Sequence, residues 1–125
     1  MKKNRPVNLN LLTIHFPVTA IISIIHRLSG FLLFLVIPVI LYYFELSLGS
    51  QAGFDRIGKA LSCPIAKFLI WFIGSALIYH VIAGIRHLLM DAGHGEEKQS
   101  GRCGAWMVLI LSAIVIILLA GWIWA

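Results

Sequence analysis

Charge is scarce in this chain. Only 12% of its 125 residues are Asp, Glu, Lys or Arg, and five of them are acidic, against the roughly 25% charge of a soluble globular domain. Together with 60% hydrophobic residues and a mean hydropathy of +0.94, this excludes a soluble globular protein. Cysteine is nearly missing too. Cys63 and Cys103 are the two present, and no CxxC or CxxCH occurs, which excludes the usual thiolate metal sites and covalent c-type haem attachment. No internal repeat is visible, which disfavours an inverted-repeat transporter. The only acid near an apolar stretch, Glu45, lies close to its end, whereas proton-coupled transporters usually carry an acid well within the membrane.

What is present is apolar length. Residues 28–48, 68–85 and 105–125 form charge-poor stretches of 21, 18 and 21 residues, close to the roughly 20 that cross a bilayer as helix. The expectation is an all-α integral membrane protein with three transmembrane helices at about 20–48, 67–88 and 105–125. Residues 1–125 then form one membrane domain, because the tail and two short connections leave no room for a soluble catalytic domain. The first apolar stretch is too long for a signal-peptide core, polar Asn8, Asn10, Thr13 and His15 precede it, and no small-residue cleavage pattern follows, so it is expected to be retained.

The net charge of +5 is read as a topology signal rather than a nucleic-acid footprint, because the cations lie mainly outside the apolar stretches. Lys2, Lys3, Arg5 and Arg27, with Arg86, Lys98 and Arg102 near the second connection, make seven, against Arg56, Lys59 and Lys67 for the first. The positive-inside rule puts the N-terminus and second connection in the cytoplasm and Ala125 outside, in a bacterial inner membrane. Cys63 and Cys103 then lie on opposite faces, roughly 30 Å apart, and cannot pair.

Pro17 marks the start of the first helix, and Pro38 inside it predicts a bend. Phe54, Ile57 and Leu61 at helical spacing suggest a short helix in the first connection, lying on the outer interface. The Gly- and charge-rich residues 91–104 are expected to be mobile unless covered. Trp71, Trp106, Trp122 and Trp124, with Tyr42 and Tyr43, fall towards span ends, as interface anchors do. Gly74, Ala76 and Gly84 allow close helix contact in the second span, although no GxxxG pair occurs there.

One ionisable side chain, His80, sits well inside an apolar field. A neutral imidazole bonded to another helix, a proton relay and a metal ligand are all open readings. A haem b would need such an imidazole in an apolar slot, and Gly84, one turn on, would let a flat ring approach. His87 rises about 10 Å from His80 along one helix, while opposed axial nitrogens stand about 4 Å apart, twice a metal–imidazole bond. A second axial ligand must therefore come from another helix, either His26 or a histidine of another chain. Ser23, His26 and Arg27, at i, i+3 and i+4, share a helix face. They could simply snorkel and cap, or they could serve a ligand: Ser23 and Arg27 as donors to a quinone oxygen, His26 or Arg27 beside a haem propionate. With the first helix leaving the cytoplasm and the second returning to it, that patch and His80 fall near the same membrane side.

The stretches RPVNLNL (5–11), SIIHRLSG (23–30) and HVIAGIRHLLMD (80–91), in this order across three spans, resemble the cytochrome b membrane-anchor subunit of bacterial succinate dehydrogenase, the larger of its two anchors. The resemblance implies a heteromeric helical bundle in which His80 is the axial ligand to haem b from this chain. By the same resemblance a second membrane-anchor subunit would supply the other ligand and share the haem. It further implies that Ser23 and Arg27, with Ile24 as a weaker addition, face ubiquinone, and that His26 and Arg27 lie near the haem propionates. An iron-sulfur subunit and a flavoprotein subunit would complete the complex, with succinate oxidised elsewhere than in this chain. The anchor of a fumarate reductase is the neighbouring expectation.

Overall fold

The computed structural model describes residues 9–10 and 12–125. Lys2, Lys3, Arg5 and most of the RPVNLNL stretch lie outside the described residues. Four helices follow in order: α1 (Val18–Gly49), α2 (Gln51–Leu61), α3 (Pro64–Asp91) and α4 (Lys98–Trp124). Three of them, α1, α3 and α4, are long and apolar enough to cross a membrane, and the chain is an all-α multi-pass membrane protein. At 1.5 Å per residue the shortest of the three runs about 40 Å, beyond the roughly 30 Å hydrocarbon core.

Local chemistry sets the boundaries. Pro17 caps α1, its carbonyl accepting from the Ala20 and Ile21 amides at 3.0 and 3.2 Å. Pro38 lies within α1, which continues across it; lacking an amide hydrogen, it leaves the Phe34 carbonyl without its helical donor. Ser50 turns the chain with extended backbone, and its hydroxyl accepts from the Gly53 amide at 3.0 Å to start α2. Gly53 is required there, since a Cβ would collide with the Leu46 carbonyl oxygen of α1. The short connecting helix expected around Phe54, Ile57 and Leu61 is thus α2. Pro64 occupies the first turn of α3, where its missing amide costs nothing.

The second connection differs from expectation. Gly93, at φ +85°, ends α3: its amide bonds the Met90 carbonyl and the His94 amide bonds that of Leu89, both at 2.9 Å, the paired closure of a Schellman turn. Helix α4 starts at Lys98, with the Gly101 amide on the Glu97 carbonyl at 2.7 Å. Residues 98–104, expected to be mobile, are therefore the polar first turns of the third long helix, and the connection shrinks to residues 92–97. Cys63 and Cys103 are both free and exposed.

Helix α3 packs against both α1 and α4, and α1 also touches α4. The apolar core is small: Ile22 of α1, Tyr79 and Ala83 of α3, Ala105 and Val108 of α4. Lipid is as apolar as leucine, so small residues and internal hydrogen bonds rather than apolar surface decide how such helices meet. Arg86, read from sequence as a flanking cation, is instead buried and donates from Nη2 to the Gly101 carbonyl of α4 at 3.0 Å. Setting it aside leaves six cations against three, so the charge bias keeps its sign. Trp71 does more than anchor an interface, since its indole N–H reaches the Ile116 carbonyl of α4 at 3.2 Å. Gly74 makes close contact as expected: a Cβ there would stand 2.8 Å from Leu119 Cδ2.

Candidate functional site

The densest polar chemistry lies where the first turns of α1 meet the last turns of α3. Tyr79 pins the crossing, its buried hydroxyl donating to the Ile22 carbonyl at 2.7 Å. One residue on, His80 Nδ1 lies 3.0 Å from Ser29 Oγ and 3.2 Å from the His26 carbonyl oxygen. Ser29 Oγ itself donates to that same carbonyl at 2.7 Å. A carbonyl only accepts, and Ser29 has one hydroxyl proton, so all three contacts are satisfied when Nδ1 carries the imidazole proton. That tautomer leaves the lone pair on His80 Nε2. Gly30 makes room for the ring: a Cβ there would be 2.9 Å from His80 Cε1.

His26 lies against this imidazole. The two rings stack with centroids 4.3 Å apart and planes 13° from parallel, and His26 is also tilted by 43° against His87 at 5.0 Å. Its Nε2 is buried and has no hydrogen-bond partner; it faces Gly84, where a Cβ would sit 3.3 Å away. A buried polar atom left unpaired is costly, so an acceptor or donor from outside the described chain is called for at this point. Two axial imidazoles point their nitrogens at one another across about 4 Å, with ring centroids further apart still. The face-to-face stack of His26 on His80 is a different geometry and leaves no space for an iron between them. Among the described residues no group of three or more His, Cys, Asp or Glu is arranged to hold a metal ion. What the cluster offers is one imidazole with a free Nε2, a neighbouring histidine with an unused nitrogen, and a glycine-lined edge.

The three residues of the α1 patch do not stay together. His26 turns into the contact with α3, Ser23 is half-buried, and Ile24, 42% exposed, and Arg27 face outward. Sequence reasoning found His26 and His80 but missed Ser29, Tyr79 and Gly30. Their spacing carried a signal, because Ser29 and Gly30 follow His26 by one helical turn. Two clefts, one of about 330 Å³ between α3 and α4 and one of about 530 Å³ beside Tyr42, Glu45 and Arg56, are not lined by Ser23, Ile24, Arg27, His26 or His80.

Residues 1–119 match the family model described as succinate dehydrogenase/fumarate reductase transmembrane subunit. The chain is 42% identical over 125 residues to the succinate dehydrogenase cytochrome b556 subunit of Coxiella burnetii, covering 99% of this chain and 100% of that one. It is 34% identical over 109 residues to the subunit of the same name from Rickettsia bellii, covering 86% and 85%. With that of Paracoccus denitrificans the identity is 32% over 115 residues, covering 92% and 88%.

Proposed function

Because this chain belongs to the succinate dehydrogenase/fumarate reductase transmembrane subunits, we propose that it holds haem b through His80 Nε2 and presents Ser23 and Arg27 to ubiquinone. The observation that carries the reading is the bonding of His80. Ser29 and the His26 carbonyl occupy Nδ1, so the other nitrogen has the lone pair that ligation needs, and the contact fixes the ring's orientation as well. The unpaired His26 Nε2 fits an anionic propionate, with Arg27 as a second, charged donor. The stacked geometry of His26 and His80 disfavours an intrachain pair and supports a second axial ligand from another chain, a smaller membrane anchor, which would share the haem. Residues 1–125 act as one membrane-anchor domain in this reading.

Haem b, when bound, supplies a one-electron carrier within the bundle. The chain's own residues hold, orient and donate. Ser23 and Arg27 lie one turn apart on α1, and their hydroxyl and guanidinium would donate to a quinone carbonyl oxygen, with Ile24 against the ring. Reduction builds negative charge on that oxygen, and preorganised donors stabilise developing charge at no cost in reorganisation. The relatives named above are succinate dehydrogenase subunits, which supports electron flow from succinate to quinone over the fumarate reductase direction. The flavoprotein and iron-sulfur subunits would deliver those electrons at the cytoplasmic face of the inner membrane, beside the N-terminus and residues 92–97, with Ala125 on the periplasmic side. Glu45 is exposed beside the cleft between α1 and α2, and nothing there supports a transport role.

The test is the haem spectrum of purified complex carrying His80→Leu. Low-spin haem b should be lost or converted to a high-spin form; unchanged haem content and spectrum would overturn the ligand assignment. Membrane-impermeant thiol reagents check the orientation, with Cys103 expected to react from the cytoplasmic side and Cys63 from the periplasmic side, the reverse pattern overturning it.

A further inference from the structure

Arg86 poses an electrostatic problem that the α1–α3 cluster leaves untouched. Its side chain is 9% exposed, and its one hydrogen bond runs from Nη2 to the Gly101 carbonyl. A guanidinium carries five N–H donors and stays charged, so one neutral acceptor leaves most of its donors and its whole charge uncompensated. Buried cations are held by anions. The chain has five acids, Glu45, Asp55, Asp91, Glu96 and Glu97, all of them among the described residues, and none pairs with Arg86. The guanidinium, whose remaining N–H groups are not among the buried unpaired atoms, is thus open to a counter-charge from outside this chain.

A cleft of about 330 Å³ between α3 and α4 opens beside the guanidinium, at the low end of ligand-sized cavities. Its character changes along the helices. Arg86, His94 and Ser100 line the end near residues 92–97, while Ile82, Met107 and Leu111 carry the cleft towards the middle of both spans. Gly104 leaves room for the charge, since a Cβ there would lie 3.3 Å from Arg86 Nε.

We propose that this cleft binds one anionic phospholipid, its phosphate against Arg86 and an acyl chain along Ile82, Met107 and Leu111. The polar-to-apolar order along the helix axes is the order of headgroup and tail. A free phosphate would use the upper end alone, and a carboxylate from another subunit would match the charge but not the apolar trough running into the spans. The site lies on the α4 side of α3 and is independent of the haem reading.

The experiment uses the assembled complex, purified and depleted of lipid in detergent, and phosphatidylglycerol carrying a photoactivatable acyl chain. Labelling should map to α3 and α4 around Ile82, Met107 and Leu111, and unlabelled phosphatidylglycerol should compete where phosphatidylcholine and inorganic phosphate do not. Loss of a charge-assisted contact in Arg86→Gln should cut labelling about tenfold or more. That variant also breaks the tie to Gly101, so Leu111→Trp, which fills the apolar end and keeps the tie, should lower labelling as well. Undiminished labelling in Leu111→Trp, or equal competition by phosphatidylcholine, would overturn the proposal. So would displacement by inorganic phosphate, which would assign the cleft to a free anion, or crosslinking of cleft residues to another subunit in place of lipid.

Discussion

The two ends of α1 are built on different principles. From Val18 to Gly30 the helix is tied to α3 by the Tyr79 hydroxyl on the Ile22 carbonyl and by His80 on Ser29 and the His26 carbonyl, and it carries both buried residues of α1, Ile22 and Ser29. Residues 31–49 contain no buried residue; Phe31, Phe34, Ile37 and Leu41 are half or more exposed, and the described hydrogen bonds include none from this half to α3. The C-terminal half is as hydrophobic as the N-terminal one, yet it is the N-terminal half, with its two serines, one histidine and one glycine, that fixes the geometry. In lipid, apolar side chains gain little by facing each other, whereas small residues and hydrogen bonds choose a contact. The C-terminal half of α1 is left as surface for lipid or for other chains of the complex.

Substitutions at the two ends should separate accordingly. The largest effect is expected at His80, where the Leu variant should abolish the low-spin haem b spectrum of the assembled complex. Next come Ser23→Ala and Arg27→Leu, which should lower succinate-to-ubiquinone turnover about a hundredfold, the usual cost of removing a donor to a developing oxygen charge. Succinate oxidation with an artificial acceptor upstream of the quinone should persist in both, and normal turnover in both assays would reduce these residues to membrane-edge anchors. Ser29→Ala should weaken haem retention about tenfold or more, as loss of an outer-shell partner does, read by haem content after dilution. Tyr79→Phe removes one interhelical bond and should cost about 1 kcal/mol in unfolding free energy, whereas Ile37→Leu on the C-terminal half of α1 should stay within about 0.5 kcal/mol. Equal costs at Tyr79 and Ile37 would erase the distinction between the two ends.

Much of this architecture is legible in the sequence. Long apolar stretches bounded by Pro17 and Pro64 specify spans, and the spacing of Phe54, Ile57 and Leu61 marks α2, because helix existence depends on near neighbours in sequence. The rotation of one helix against another does not. Nothing in the periodicity says that Arg86 points at α4 rather than outward, that His26 leaves Ser23 and Arg27 to meet His80, or that Trp71 finds the Ile116 carbonyl. Those facts belong to pairs of residues far apart in the chain, and most are set by single hydrogen bonds. The early start of α4 was hidden for another reason: residues 98–104 are polar, so hydropathy ended the span where the helix does not.

The contacts that orient His80 come from within this one chain, and that has a bearing on the order of assembly. Ser29, the His26 carbonyl and Tyr79 immobilise α1 and α3 against each other, so the rotamer entropy of the imidazole is lost when two helices of the same polypeptide pack. It is not lost again when a ligand arrives, and a receptor ordered in advance binds more tightly for the same contacts. Under the proposed haem reading the chain would leave synthesis with its half of the seat already set, and a second anchor would close on a fixed template rather than on a side chain still searching for its place.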